Sequence, residues 1–263
     1  MTDVYTFRRG TTPLLVSIPH DGRALMPGQS AAMSDIGRAI PDTDWHVRQL
    51  YDFAAGMGAS VIAANYSRYV VDLNRAADDS ALYQGQLSTG LCPLQTFAGE
   101  PLYREMKAVS RDERERRVRI YWQPYHDQIR ETLDGLKNEF GYALLWDGHS
   151  IKSEMPALFD GALPDLNFGT NDGDSCAAPL LEAVVGAVGG SAYTSVSNGR
   201  FKGGYITRHY GSPEDSIHAI QLEIAQKTYM DEVTTEYDGE RAAILQDMLG
   251  RLLGAYLQSA AEA

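Results

Sequence analysis

The stretch "YALLWDGHS" (residues 142–150) decides the fold and raises the question of function. Its apolar part is typical of a buried strand, which we predict over 142–149. This strand closes on an acid, a glycine and an imidazole, Asp147, Gly148 and His149. In α/β sheets, ligands collect beyond the carboxyl ends of the strands. We therefore expect Gly148 to let the chain turn, so that His149 leaves the sheet to reach a ligand.

Strand and helix patterns alternate on both sides of this stretch. Further strands are predicted over 13–18, 60–66, 69–73, 165–170, 192–197 and 218–225. Helices are predicted over 42–58, 110–141, 175–187 and 238–259. Asp42 or Thr43 should cap the first helix, and Pro124 should kink or split the second. The alternation predicts a single α/β domain over residues 1–263, with a mainly parallel or mixed central sheet and helices on both faces.

The composition is that of a soluble globular enzyme, with 44% hydrophobic and 22% charged residues. No apolar run approaches the roughly 20 residues that span a bilayer, and the N-terminal stretch lacks the hydrophobic region of a signal peptide. The two cysteines, Cys92 and Cys176, form no CxxC pair and are expected as free thiols. We expect a cytoplasmic protein without membrane contact.

The formal net charge of −12 makes nucleic acid and anionic membranes poor partners. A small anion can still bind if the chain concentrates cations in one place. Five cations lie within the unusual motifs, namely Arg68, Arg75, Arg200, Lys202 and Arg208. They suggest a local positive pocket on a negative protein, although scattered surface cations are an equally good interpretation of this clustering alone.

Two histidines and a buried acid follow or end predicted strands. His20 stands in "PHDG" after the first strand, His149 in "WDGHS", and Glu223 within the apolar "AIQLEIA". Two histidines and a carboxylate are the usual donors for a catalytic zinc ion that keeps one position open for water. The carboxylate is either Asp42 or Asp44, both near the start of the first predicted helix, and the stronger alternative for Asp42 is simple capping. The remaining histidines are interpreted as structural, namely His46, His126, His209 and His218.

Other active-site signatures are missing from the sequence. It contains no GxSxG elbow, no P-loop, no GxGxxG after a strand and no HExxH helix. A metal site in this chain must therefore be assembled from distant segments.

Six blocks taken together resemble the N-formylglutamate amidohydrolase family, the deformylases of histidine degradation. In chain order these blocks are "SIPHDG", "DTDWHV", "RYVVDLNR", "WDGHS", "NGRFKGGYITRHYG" and "AIQLEI…YMDE". They run from about residue 13 to 232. One block alone is a weak signal for a family, but six blocks in the family's order are a specific one. The family is similar in fold to the zinc carboxypeptidases, so the resemblance implies a zinc-carboxypeptidase-like (phosphorylase/hydrolase-like) fold.

The resemblance implies a metal centre made of His20, Asp44 and His149, with one divalent ion, most simply zinc. Asp147 is expected to orient one of the imidazoles. In the carboxypeptidases the acid follows the first histidine by three residues, but here that position is Arg23. The acid must therefore come from a different segment.

The same resemblance assigns roles to Glu223, Asn74 and Arg75, and the chemistry of amide hydrolysis suggests roles for further cations. Glu223 acts on the attacking water, and Arg68 is our choice for sharing the negative charge on the carbonyl oxygen. Asn74 and Arg75 bind a substrate carboxylate. Lys202 or Arg208, in the glycine-rich segment 200–211, is expected to bind a second one.

The implied function is metal-dependent hydrolysis of N-formyl-L-glutamate to formate and L-glutamate, the last step of histidine degradation. The substrate would be a small N-formyl dicarboxylic amino acid. The first alternative keeps the fold and the metal, as an N-acyl amino-acid deacylase or a carboxypeptidase-like peptidase. The second is a catalytically silent binding protein. The charge of the pocket distinguishes the substrates. Two cation sites would favour a dicarboxylate, whereas a single cation site would favour a substrate with one carboxylate.

Overall fold

A mixed β-sheet runs through the centre of the protein. The computed structural model describes residues 2–80, 89–105 and 108–262. The strands of this part of the chain are β1 (Tyr5–Arg8), β2 (Leu14–Ile18), β3 (Ser60–Ala64), β4 (Ala143–Ile151), β5 (Leu166–Gly169), β6 (Ser195–Ser197) and β7 (Ile217–Ala225). Their order across the sheet is β1-β3-β2-β4-β7-β5-β6. The four central strands are parallel, whereas β1 and β5 run antiparallel to β3 and β7, so the predicted mixed sheet is confirmed.

Helices cover both faces of the sheet, as predicted. They are α1 (Gln29–Ala32), α2 (Asp35–Ala39), α3 (Val47–Leu50), α4 (Arg111–Arg117), α5 (Gln123–Phe140), α6 (Ala178–Gly186), α7 (Tyr205–Tyr210) and α8 (Gly239–Ala261). Apolar side chains of α3, α6 and α8 pack on one face, and those of α5 and α7 pack on the other. Within the described ranges, no helix has both the length and the apolar character needed to pass through a lipid bilayer.

Strand β4 shows why the central strands have continuous apolar runs. Leu144 and Trp146 point into the core under α8, whereas Leu145 points into the core under α5. Successive side chains of a strand alternate between faces, and here both faces are covered by helices. The apolar run of 142–146 is therefore explained by burial on both sides.

The long helical segment behaves as its sequence predicts. The hydroxyl of Ser110 accepts a hydrogen bond from the backbone N–H of Glu113 (3.2 Å), which caps α4. A π-helical turn over Val118–Trp122 separates α4 from α5, and Pro124 lies at the start of α5. Proline lacks the N–H that a continuous α-helix would need there, so the helix is split. Gly141 ends α5 at φ 86°.

Two predictions near the first strands are wrong. Only α3 and a 3₁₀ turn over Asp52–Ala55 form inside the predicted helix 42–58. Asp42 caps no helix, because its Oδ2 accepts hydrogen bonds from the Tyr69 hydroxyl (2.7 Å) and the Phe97 N–H (2.8 Å). Thr43 does not cap α3 either, since the residue preceding that helix is His46. The segment is fixed by tertiary contacts that helical periodicity cannot reveal.

Residues 69–73 form buried turns rather than the predicted strand. The apolar side chains Val70, Val71 and Leu73 are buried in the cluster beneath α5, so the pattern detected burial correctly but assigned the wrong conformation. The glycine-rich segment 200–211 contains the short helix α7.

The expected turn at Gly148 is also wrong, because β4 continues through His149 to Ile151. Gly148 pairs with Leu222 of β7 inside the sheet. A Cβ atom at this position would lie 2.9 Å from the Tyr51 ring, closer than real Cβ contacts allow. Glycine is therefore required here for a close approach and not for a turn.

His126 of α5 is a structural histidine, as predicted, and lies 1% exposed. Its Nε2 donates to the Leu73 carbonyl (2.9 Å), its Nδ1 lies 3.0 Å from the Tyr210 hydroxyl, and its ring stacks on Trp122. Burial lowers the pKa of His126 to about 3. The folded protein therefore holds this imidazole neutral.

We expect His126→Gln to weaken the acid sensitivity of the fold. Below about pH 6.5 an unfolded histidine takes up a proton that folded His126 refuses, so the free energy of unfolding falls by up to roughly 1.4 kcal/mol per pH unit. Glutamine retains a donor for Leu73 and does not titrate. Urea unfolding at pH 7 and pH 5 measures the slope, with the unaltered protein measured under the same conditions as the reference. An unchanged slope in His126→Gln would contradict the assignment.

Candidate active site

Three buried side chains from separate segments meet at the carboxyl edge of the parallel strands. His20 follows β2, His149 lies in β4, and Asp44 lies in the loop before α3, where its N–H donates to the His20 carbonyl (3.1 Å). The two Nδ1 atoms are 3.1 Å apart. The Asp44 Oδ2 lies 3.0 Å from the Nδ1 of His149 and 3.7 Å from that of His20. Each residue is 2% exposed.

Two further aspartates determine which imidazole nitrogens face each other. The Nε2 of His20 lies 2.8 Å from Asp72 Oδ1, and the Nε2 of His149 lies 3.0 Å from Asp147 Oδ2. Each carboxylate accepts the Nε2 proton, so a neutral imidazole presents a bare lone pair at Nδ1. The two Nδ1 atoms and the Oδ2 of Asp44 then converge on one point, where a proton or a metal ion can lie between them.

The pKa values of His149 and Asp44 are shifted in opposite directions by the attraction between imidazoles and carboxylates in this cluster. Burial alone would lower the pKa of His149, but the carboxylates of Asp147 and Asp44 raise it well above its usual value. Burial would raise the pKa of Asp44, but His149 and His20 hold it below its usual value. The site therefore attracts positive charge, and its two nitrogens and one carboxylate oxygen are suitable ligands for a divalent metal ion.

Arg68 joins two of the acids of this cluster. Its Nη2 donates to Asp72 Oδ2 (2.9 Å), and its Nη1 lies 3.5 Å from Asp44 Oδ1 and donates to the Asp42 carbonyl (3.3 Å). Burial opposes ionisation of Asp72, but Arg68 holds its pKa well below the usual range. The terminal nitrogens of Arg68 are thus engaged, and its buried Nε has no hydrogen-bond partner among the residues that the structure describes.

Glu223 lies beside the cluster because of the strand register. It is the direct neighbour of His149 across the β4–β7 pair and is 8% exposed. Burial raises the pKa of Glu223 to about 8. A carboxyl group with a pKa in this range can accept and return a proton near neutral pH.

The cluster opens into a cavity of about 710 Å³, a size typical of small-molecule sites. Glu223 and three arginines, Arg68, Arg75 and Arg200, belong to its wall. Arg75 donates from Nη1 to the carbonyl of its neighbour Asn74 (3.0 Å), and within the described part of the chain its buried Nε has no hydrogen-bond partner. The cavity therefore presents cationic groups although the whole chain is acidic.

Asn74 connects the cluster to helix α7. Its Nδ2 lies 3.1 Å from His149 Nε2, and its Oδ1 accepts the N–H of Ile206 (2.8 Å). A Cβ atom at Gly204 would lie 2.1 Å from the Asn74 amide nitrogen, so only glycine permits this approach. The glycine-rich segment thus packs directly against the predicted substrate-binding asparagine.

The two cations predicted for a second carboxylate lie outside the cavity wall. Lys202 pairs with Asp172 (2.9 Å), and Arg208 donates from Nε to the Gly203 carbonyl (2.8 Å). Arg200, two residues before Lys202, lines the cavity instead.

Sequence reasoning missed Asp72 and Gln221. Asp72 interrupts the apolar "YVVDL", the same signal that identified Glu223 in "AIQLEIA". Gln221 is the neighbour of Asp147 across the β4–β7 pair, and its Oε1 accepts the N–H of Gly204 (2.7 Å).

Comparison with known proteins decides the family. The family model for N-formylglutamate amidohydrolase matches residues 12–230. The chain belongs to the N-formylglutamate amidohydrolase family. The N-formylglutamate deformylase of Pseudomonas aeruginosa is 54% identical over 261 residues, which cover 96% of this chain and 97% of the relative. The N-formylglutamate deformylase of Pseudomonas putida is 51% identical over 264 aligned residues, and the alignment covers 100% of this chain and 98% of the relative.

Solved structures agree with this membership. The crystal structure of an N-formylglutamate amidohydrolase from Ralstonia eutropha JMP134 superposes with a TM-score of 0.83 at 26% identity, covering 99% of this chain and 98% of that one. A gene product of Agrobacterium tumefaciens shares the fold, with a TM-score of 0.73 at 15% identity. The match covers 97% of this chain and 96% of that one. The resemblance noted from the six sequence blocks is confirmed.

We expect Asp72→Asn to weaken divalent-metal binding about 10- to 100-fold, because the Nε2 of His20 loses the carboxylate that orients it. Competition between the protein and a fluorescent chelator measures the affinity without reference to catalysis. Asp172→Asn, which removes an exposed carboxylate, is the control. Equal affinities of Asp72→Asn and the unaltered protein would show that the hydrogen bond to His20 has no part in metal binding.

Proposed function

We propose that this member of the N-formylglutamate amidohydrolase family is a zinc-dependent hydrolase that converts N-formyl-L-glutamate to formate and L-glutamate. The observation that carries the proposal is the buried cluster of His20, Asp44 and His149 with Glu223 beside it. The relatives named N-formylglutamate deformylase, at 54% and 51% identity over nearly the whole chain, support the substrate. Two imidazoles and one carboxylate are the ligand set that favours zinc.

The chemistry requires an activated water, stabilisation of negative charge on the carbonyl oxygen, and a proton for the departing amine. A divalent ion in the cluster supplies a Lewis acid, which makes water acidic near neutral pH and polarises a carbonyl group. Glu223 accepts one proton as the water oxygen forms its bond to the formyl carbon. It returns that proton to the amide nitrogen as the C–N bond breaks, which leaves formate and the amine of glutamate.

Arginines of the cavity wall carry the remaining roles. The planar fork of Arg75 binds the α-carboxylate of the substrate bidentately, next to Asn74. The Nε–H of Arg68 is the donor left for the developing negative charge, because its terminal nitrogens hold Asp72 and Asp44.

The charge of the cavity favours a dicarboxylate over the alternative substrates. A general N-acyl amino acid or a peptide C-terminus offers one carboxylate, whereas Arg75 and Arg200 both belong to the cavity wall. The place of the reaction in histidine degradation and the cytoplasmic location stay predictions from the sequence.

Formate release tests the function directly. We expect turnover of N-formyl-L-glutamate that is lost to a strong chelator and restored by zinc, with much slower reaction of N-formyl-L-aspartate and N-acetyl-L-glutamate. Turnover that survives complete metal removal would rule out the metal-dependent mechanism. An inactive metal-loaded protein would rule out the deformylase.

We expect Glu223→Gln to lower kcat by about 10²- to 10⁴-fold while metal binding persists, because the amide cannot carry the proton. Formate release and bound metal should be measured on the same sample. Glu182→Gln, which neutralises an exposed carboxylate on α6, is the matched control. Near-normal kcat in Glu223→Gln would assign proton transfer to a different group.

A further inference from the structure

Asp44 reaches the cluster from the loop that precedes α3 and belongs to no helix or strand itself. Its backbone N–H donates to the His20 carbonyl (3.1 Å), and its Oδ2 accepts the N–H of Ser150 (3.1 Å). A loop lacks the regular hydrogen bonds that fix a strand such as β4. The direction of the Asp44 carboxylate therefore depends on what holds this loop from outside.

The two carbonyls that flank Asp44 are held by side chains of the segment after β7. The Gln226 amide donates from Nε2 to the Thr43 carbonyl (3.2 Å), and the Tyr229 hydroxyl donates to the Trp45 carbonyl (2.7 Å). A carbonyl can only accept, so the nitrogen of Gln226 and the proton of Tyr229 must face the loop. The loop is thus held one residue before and one residue after Asp44.

Ser150 joins both of these donors to the Asp44 carboxylate. Because the single proton of Tyr229 goes to a backbone carbonyl, the Ser150 hydroxyl donates its own proton to the Tyr229 oxygen (2.7 Å). The second proton of the Gln226 amide goes to the Ser150 oxygen (3.3 Å). The backbone N–H of Ser150 binds Asp44 Oδ2, the oxygen that lies 3.0 Å from His149 Nδ1. Ser150, Gln226 and Tyr229 are all buried, so water does not compete for these hydrogen bonds.

The block "YMDE" (229–232) ties the same segment to a second part of the site. As far as the structure describes it, the cavity wall includes none of these four residues. Glu232 accepts hydrogen bonds from the N–H (2.7 Å) and the hydroxyl (2.8 Å) of Ser153, just beyond β4, and from the Lys227 N–H (2.8 Å). The segment after β7 is therefore joined to the strand that carries His149 as well as to the loop before α3.

We propose that Tyr229 and Gln226 are positioning residues for the metal centre, because they hold the loop that brings Asp44 to the two histidines. Neither side chain is a ligand, and both act through the backbone on either side of Asp44. A ligand that is fixed before the ion arrives loses less conformational freedom when the ion binds. This inference rests on the metal centre of the proposed function.

Zinc affinity tests the role without reference to catalysis. Competition with a fluorescent chelator measures it for Tyr229→Phe and Gln226→Met, in metal-free samples whose fold is verified by circular dichroism. We expect each substitution to weaken zinc binding about tenfold, the lower end of the loss caused by removing a group that orients a ligand directly.

Two control variants remove the same chemistry elsewhere. Tyr210→Phe removes a buried hydroxyl whose two partners are the carbonyl and the ring of His126 (both 3.0 Å). Gln246→Met removes an amide that donates to the carbonyls of Gln49 (3.1 Å) and Leu50 (3.2 Å). We expect both controls to keep the zinc affinity of the unaltered protein, because neither side chain holds the loop before α3.

An Asp44→Ala background separates positioning from a general loosening of the fold. Zinc binding is weaker there from the outset, because one ligand is gone. We expect Tyr229→Phe to cause less than about a twofold further loss in this background, since two changes that act through one ligand are not additive.

Unchanged zinc affinity in both Tyr229→Phe and Gln226→Met would overturn the inference. An equal loss in the two controls, or the full tenfold loss in the Asp44→Ala background, would overturn it as well. Gln226→Met tests the inference by itself if Tyr229→Phe does not fold. If the unaltered protein binds zinc but releases no formate from N-formyl-L-glutamate, the proposed function fails while the positioning role stands. An unaltered protein that binds no zinc refutes both.

Discussion

The functional site depends on the convergence of His20, His149 and Asp44, three buried side chains from separate segments, on one point. Two imidazole nitrogens lie 3.1 Å apart with a carboxylate oxygen beside them, in a site that water hardly reaches. The arrangement is enforced by Asp72 and Asp147, which hold the Nε2 protons and turn both Nδ1 lone pairs inward. Burial opposes a charge on His149, but the carboxylates of Asp147 and Asp44 raise its pKa well above the usual value, so the site favours positive charge.

The parallel sheet makes this arrangement possible. Neighbouring strands β2, β4 and β7 end at the same edge, so residues far apart in the chain meet there. The two-residue period of β4 places Asp147 and His149 on one face, and the β4–β7 register adds Glu223 on the same face. Gly148 lets the Tyr51 ring approach the opposite face of the same strand closely.

The distribution of charge explains how a chain of net charge −12 can bind a dianion. Arg68 is held by the buried acids of the cluster, which reduces the repulsion that a carboxylate substrate would meet. Arg75 and Arg200 place further positive charge in the wall of a confined cavity. Cations such as Lys202 that pair with acids at the surface add little to the cavity, since exposed ion pairs are screened by solvent.

The sequence by itself determined the central strands and three members of the site. His20, His149 and Glu223 stand at or within apolar strands, where a polar group needs a partner, and this local contrast is visible without a structure. Only the tertiary structure decided that Asp72 orients His20 and that Arg200, not Lys202, reaches the cavity. Local patterns report which side chains are buried, but the partner of a buried group is set by strand register and loop packing. These join His20 to Asp72, 52 positions away, and to His149, 129 positions away.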